Sequence, residues 1–331
     1  MTRKYKSEIL ITLGAVVLFW IFWQFSPPPL PPDLPEDYQA ARAVWLGVTW
    51  VMDFHTDDEI QALAANLQAH HVRYVFAYIS YLKPDATFNP TFEHAATFAN
   101  RFHAAAPEIM LLGWLGVPTQ ITTPEGKYLE NRLDSKETRA AIASFSGQIV
   151  ENWGFDGIHL DAEPIRTGDP TFINTLQAIR EGIPVQSVLS IATPALQVTR
   201  AVTASPYPSS PYHWTPEYFR LAASYSDQMV VMAYDSGLFL PADYRNWMAY
   251  QVETAAAALD NDESQLLIGV PVSEEWTSSH LIHTEYLANA LYGIQTALAE
   301  SAVARRNIAG IAVYPYWEID EREWDLLYQF P

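Results

Sequence analysis

The chain has 331 residues, contains no cysteine and carries a formal net charge of −19. The missing thiols exclude a disulfide scaffold, a thiolate nucleophile, a cysteine-based zinc site and a lipid-modified cysteine. The acidity argues against nucleic acid or an anionic membrane surface as partner, because both repel a negative face.

Residues 1–8 hold Arg3, Lys4 and Lys6, and an apolar run follows over residues 9–25. Its length, about seventeen residues, is at the short end for a membrane span, and the basic residues in front of it place the N-terminus in the cytoplasm. A cleaved signal peptide needs a small-x-small site after the run. Ser26-Pro27-Pro28-Pro29 stands there instead, so the run reads as an uncleaved signal anchor in a cell membrane with the rest of the chain outside the cytoplasm. Residues 26–42 are proline-dense, and proline continues neither a helix nor a sheet ladder. They read as a stiff, extended spacer that holds the folded part away from the lipid.

Over residues 43–331, short β-rich runs alternate with amphipathic helical stretches, the pattern of repeated βα units around a parallel sheet. Strands are predicted at Val44–Asp53, Val72–Ser80, Ile109–Val117, Phe155–Glu163, Ser187–Pro194, Gln228–Asp235, Leu266–Val272 and Ile308–Tyr316. Helices are predicted near 56–70, 90–106, 136–153, 170–182, 214–225, 242–260, 285–301 and 320–329, several opening on start signals such as Thr56-Asp57-Asp58-Glu59. Strands each followed by a helix, with none left over, predict an α/β fold of the closed (β/α)8 TIM-barrel type. No Gly-rich phosphate loop follows the first strand, as an open doubly wound sheet would favour.

In such a barrel the site lies at the carboxyl ends of the strands, and here those ends are polar and aromatic. They offer Trp50, Tyr78, Trp114, the Met232-Ala233-Tyr234-Asp235 segment, Tyr314 and Trp317. The fourth strand carries the densest chemistry. Read with a period of two, Gly157–Pro164 sends His159, Asp161 and Glu163 to one face and Ile158, Leu160 and Ala162 to the other. Titratable groups converging on an otherwise apolar strand perturb one another's pKa, which acid/base chemistry needs.

Asp156, His159, Asp161 and Glu163 stand at the spacing of the D-x-x-D-x-D-x-E signature, with His159 where the second Asp is expected, and the chain thereby resembles family 18 glycoside hydrolases, the chitinase-like enzymes. Met232-Ala233-Tyr234-Asp235 resembles the M-x-Y-D segment that this family carries on its sixth strand, and it falls on the sixth predicted strand. The resemblance implies a retaining glycosidase that acts on β-linked N-acetylhexosamine glycans without a cofactor or metal. It implies Glu163 as general acid and the substrate's own 2-acetamido carbonyl as nucleophile. Asp161 would orient the acetamido nitrogen, Tyr234 would hydrogen-bond its oxygen, and Asp235 would support the sugar or Asp161. It further implies an aromatic floor at the end of the eighth strand, from Tyr314 or Trp317, with Trp317 preferred for its larger face. His159 is expected to hydrogen-bond or pair with Asp161 and hold it ionised.

Chitin-like and peptidoglycan-like polymers and N-glycan cores all remain open as substrates. Three alternatives stand beside this reading: a carbohydrate-binding barrel without turnover, a glycosidase using Glu274 or Glu275 as a conventional nucleophile, and a scaffold with a protein in the cleft. His280-x-x-His283 has helical metal-ligand spacing but no third ligand placed by the sequence, so a surface or loop reading is preferred.

Overall fold

The computed structural model describes residues 38–330, apart from 124–125, 208–209 and 261, together with 12–14, 25, 28–29 and 31–35 of the N-terminal segment. The apolar run over 9–25 therefore lies largely outside the described residues. Among the described residues no helix is long and apolar enough to cross a membrane.

Eight strands close into one parallel barrel. They are β1 (Ala41–Leu46), β2 (Val72–Tyr81), β3 (Met110–Pro118), β4 (Gly157–Glu163), β5 (Val188–Thr193), β6 (Gln228–Met232), β7 (Gln265–Pro271) and β8 (Ile308–Tyr314). The ring runs β1-β8-β7-β6-β5-β4-β3-β2 and returns to β1. Helices α1 (Asp57–Ala69), α2 (Ala95–Ala105), α3 (Lys136–Trp153), α4 (Pro170–Gly182), α5 (Pro216–Ala223), α6 (Pro241–Ala258), α7 (Leu287–Glu300) and α8 (Glu321–Gln329) follow the strands in turn. Each predicted strand and helix has its counterpart here.

Local chemistry fixes the boundaries. A capping box of Thr56 and Glu59 starts α1, and Asp320 with Glu323 repeats the device at α8. Gly154, at φ +76°, ends α3 in the left-handed conformation that turns the chain into β4. The main core lies between strands and helices, where Leu46, Val75, Leu111, Leu160, Ile191 and Ile268 are fully buried. Each such side chain contributes about 1.5–3 kcal/mol of hydrophobic stabilisation. A second cluster, with Trp45, Tyr74, Phe76, Leu112, Trp114, Val230 and Leu267, fills the inside of the ring.

The first strand is shorter than predicted at its end and longer at its start. It begins at Ala41, inside the stretch assigned to the spacer, and stops at Leu46, where the chain passes Gly47 and turns into a short helix over Thr49–Met52. A Cβ at Gly47 would stand 3.3 Å from the Trp317 ring, so the absence of a side chain lets that indole close over the turn. The proline-rich segment also differs from a free spacer. Pro28, Pro29 and Pro31 line a groove together with Leu291, Tyr292 and Gln295 of α7 and Leu326, Gln329 and Phe330 at the end of α8. Leu34 packs against the main core, and the Tyr38 hydroxyl donates to the Ile308 carbonyl at the base of β8 (3.3 Å).

Candidate active site

A cavity of about 300 Å³ opens at the carboxyl ends of the strands. Its lining includes Trp45 from β1, Trp114 from β3, Asp161 and Glu163 from β4, Met232, Tyr234 and Asp235 from the end of β6, and Tyr314 from β8. The loop between β5 and α5 supplies another wall through Pro194, Tyr207, Tyr212 and His213.

Asp161 is held by the Trp114 indole, whose Nε1–H donates to Oδ2 at 3.0 Å. Its other oxygen, Oδ1, is buried and has no hydrogen-bond donor in the structure. An under-solvated carboxylate favours its neutral form. Burial accordingly pushes Asp161 up to about 6, against the opposing Trp114 hydrogen bond. Two residues on, Glu163 is pushed up to about 8, first by its removal from bulk water and then by the charges of Asp161 and Asp235. Its side chain stays open to cleft water from above, which moderates the push, and no protein group among the described residues hydrogen-bonds its carboxyl. A ligand that displaces that water would strengthen the push.

Tyr234 stacks on Tyr314 (ring centroids 5.5 Å, interplanar angle 12°) and meets Trp45 edge-on. Gly269 makes room for it, since a Cβ there would lie 3.0 Å from the tyrosine ring. Burial keeps the Tyr234 phenol well above the ordinary range, so its hydroxyl remains a proton-bearing donor.

Asp235 has a left-handed backbone, at φ +57°. Fully buried Glu285 stabilises the turn by accepting from the amides of Asp235 (2.7 Å), Ser236 (2.9 Å) and Gly237 (3.1 Å). His280 bridges the two carboxylates, with Nδ1 3.2 Å from Glu285 Oε2 and 3.4 Å from Asp235 Oδ1. Its Nε2 donates to the Ser273 carbonyl at 3.0 Å. Burial alone would lower this histidine, but the hydrogen bonds to Asp235 and Glu285 outweigh it and raise it to about 10. Asp235, His280 and Glu285 bring potential metal-ligand atoms within 4.8 Å of one another, but with both ring nitrogens protonated the imidazolium has no lone pair to give a metal and serves as the cation between the two carboxylates.

His159 departs from expectation. It is fully buried inside the ring, stacked on Phe76 at 3.9 Å, and makes no hydrogen bond to Asp161. Its Nε2 accepts from Trp45 Nε1 at 3.0 Å, so Nδ1 carries the proton and donates to Ser190 Oγ (2.8 Å), which in turn donates to Gln228. Burial lowers it to about 3, which keeps the ring neutral. It neither lines the cleft nor charges its neighbour.

Three other aromatics fall beside the cavity. Trp50, Tyr78 and Trp317 line an adjoining apolar hollow that shares Trp114 with the cleft, whereas Tyr314, not Trp317, stands beside the carboxylates. Trp50 is on the short helix after β1 and stacks on His55 (4.3 Å). Glu274 and Glu275 are exposed on the β7–α7 loop and do not line the cavity. His280 and His283 lie on the β7–α7 loop, in keeping with the loop reading, but His280 is buried and not on the surface, while the His283 ring lies against the Phe239 carbonyl. Sequence reasoning missed Trp45, Glu285 and the β5–α5 wall. The Pro- and Tyr-rich stretch over 205–213 was the one available signal for that wall.

Fold and cleft together define a parallel (β/α)8 barrel with a carboxylate pair and an aromatic floor at the mouth. No protein-family model matches the chain, and no curated protein matches it. Solved structures do. The spore cortex-lytic enzyme SleL of Bacillus cereus aligns at a TM-score of 0.55 and 12% identity, covering 92% of this chain and 75% of that one. The chitinase RmChi1 of Rhizomucor miehei gives 0.55 and 13%, covering 88% and 99%. A family GH18 chitinase of Cycas revoluta, in complex with allosamidin, gives 0.57 and 13%, covering 87% and 98%. At such identities the likeness establishes the barrel fold.

Proposed function

We propose that the chain is a retaining glycoside hydrolase acting on β-linked, N-acetylhexosamine-containing glycans, chitin-like or peptidoglycan-like. The observation that carries this reading is Glu163: a carboxyl with no hydrogen-bond partner among the described residues, open to the cleft and raised to about 8 beside Asp161. Near neutral pH it holds the proton that a leaving glycosidic oxygen must receive. The neighbours' printed names, chitinase and cortex-lytic enzyme, agree with this class of reaction.

In the proposed cycle Glu163 protonates the glycosidic oxygen as the substrate's acetamido oxygen attacks the anomeric carbon from the opposite face. The C–O bond to the leaving sugar breaks, and a cyclic oxazolinium ion forms. Asp161 accepts the acetamido N–H, and the Tyr234 hydroxyl donates to the acetamido oxygen. The Glu163 carboxylate then takes a proton from water, which opens the ring and restores the original configuration. Tyr314, at the cavity wall, gives the sugar an apolar face to stack on, with buried Trp45 packed beneath it.

The run over 9–25 is proposed as a signal anchor that leaves the barrel outside the cytoplasm, supported by its apolar sequence and the basic residues before it. The decisive experiment for the chemistry pairs turnover of chromogenic N-acetylglucosaminides and soluble glycan oligomers with Glu163→Gln. Turnover should fall by at least 10³-fold while oligomer binding persists, and an oxazoline-mimicking thiazoline should inhibit the wild type. Sugar binding without turnover in the wild type would instead identify a lectin.

A further inference from the structure

Most of the large apolar side chains left in water stand on one face, with Val185, Leu221 and Tyr328 exposed elsewhere. Phe54 (61% exposed), Phe239 (57%), Trp276 (64%) and Ile282 (43%) belong to the loops after β1, β6 and β7, and all stand at the end of the barrel where the cleft opens. The N-terminal segment reaches the same end. Phe25, the last residue of the apolar run, meets Phe239 edge-on at 5.7 Å and the His283 ring at 5.6 Å. Pro28 lines the groove between α7 and α8, Leu34 packs against the main core, and Tyr38 is bonded at the base of the barrel. The described part of the proline-rich stretch is therefore held against the barrel wall as a strap, and Phe25 brings the end of the run directly to the rim.

From this arrangement we infer that the mouth face rests on the lipid bilayer, so that the cleft opens toward the membrane and meets glycans lying on it or attached to its lipids. The inference rests on the proposed anchor. A span ending at Phe25 puts the rim within the interfacial layer, where Trp and Phe rings are favourably placed. With a net charge of −19 the chain gains no attraction from anionic lipid. The contact depends on the tether and the apolar rings, and anionic lipid should weaken it at low salt.

The absence of native cysteine makes the test direct. Full-length chain is placed in phosphatidylcholine vesicles with single cysteines at Phe239→Cys, Trp276→Cys or, on the α4–β5 loop at the opposite end, Val185→Cys. Each carries an environment-sensitive fluorophore. Nitroxide-labelled lipid should quench the labels at 239 and 276 at least three-fold more than the label at 185, and aqueous iodide should show the reverse order. Equal quenching at all three positions in chain that resists carbonate extraction overturns the orientation and leaves the anchor intact. Release by carbonate overturns both. Protection at 239 and 276 that rises with protein concentration and ignores the lipid quencher overturns it in favour of contact between copies. None of these outcomes bears on Glu163 chemistry, which soluble oligomers report independently.

Discussion

Asp161 and Glu163 occupy one strand two residues apart, and their interaction sets the working pH. The pair is raised, to about 6 and about 8, so a window opens in which one carboxyl is ionised and the other retains its proton. The pH dependence of kcat should be a bell whose limbs belong to the pair as apparent values. Activity should fall on the acid side as Asp161 is protonated and on the basic side as Glu163 loses its proton. Asp235 contributes to the upper limb, because its negative charge helps hold the Glu163 proton. Asp235→Asn should therefore move the basic limb to lower pH, and an unmoved limb in a folded variant would show that this charge does not reach Glu163.

The two polar elements at the site differ in how they could be read beforehand. The barrel was legible because the pattern alternates between periods of two and 3.6 through every βα unit. On β4 the same alternation correctly put His159, Asp161 and Glu163 on the inner face. Alternation carries no information about depth, however, and residues two apart lie about 6.7 Å apart along a strand that climbs the barrel wall. Along the axis of a tilted-strand barrel that step is about 5.4 Å; it leaves Asp161 in the mouth and sinks His159 into the packed ring, where Trp45 and Ser190 satisfy it. Trp50 was placed on a strand because Val, Thr and Trp favour extended backbone, a preference overridden when the chain turns at Gly47. Glu285 was invisible because its partners lie about fifty residues earlier, in a loop without periodicity. The Asp235–His280–Glu285 unit also predicts a stability signature. His280 is raised from 6.5 to about 10, so its contribution is fully present below about 6.5 and is lost as pH climbs toward 10. Thermal melts across that range should show His280→Gln losing most relative to wild type at the acid end, with the difference shrinking as pH rises. A gap independent of pH would mean that the imidazole acts by packing alone.

For the whole molecule, the barrel separates durability from chemistry: the ring and its helices bury the core, the loops at one end carry the cleft and the aromatic rim, and the N-terminal strap lies against the helix wall. The strap has its own consequence. Pro28, Pro29 and Pro31 shield part of the surface formed by Leu291, Tyr292, Leu326 and Phe330. A chain shortened to begin at Ala41 keeps every barrel strand but lays that apolar seam bare. We expect such a truncated chain to self-associate more readily than one beginning at Pro27, measurable as a concentration-dependent rise in mass by light scattering. Adding back a peptide of residues 26–40 should reverse the rise. Conversely, a protease that severs the strap would free the barrel from whatever holds the N-terminus and in the same cut make it sticky, coupling release to clumping.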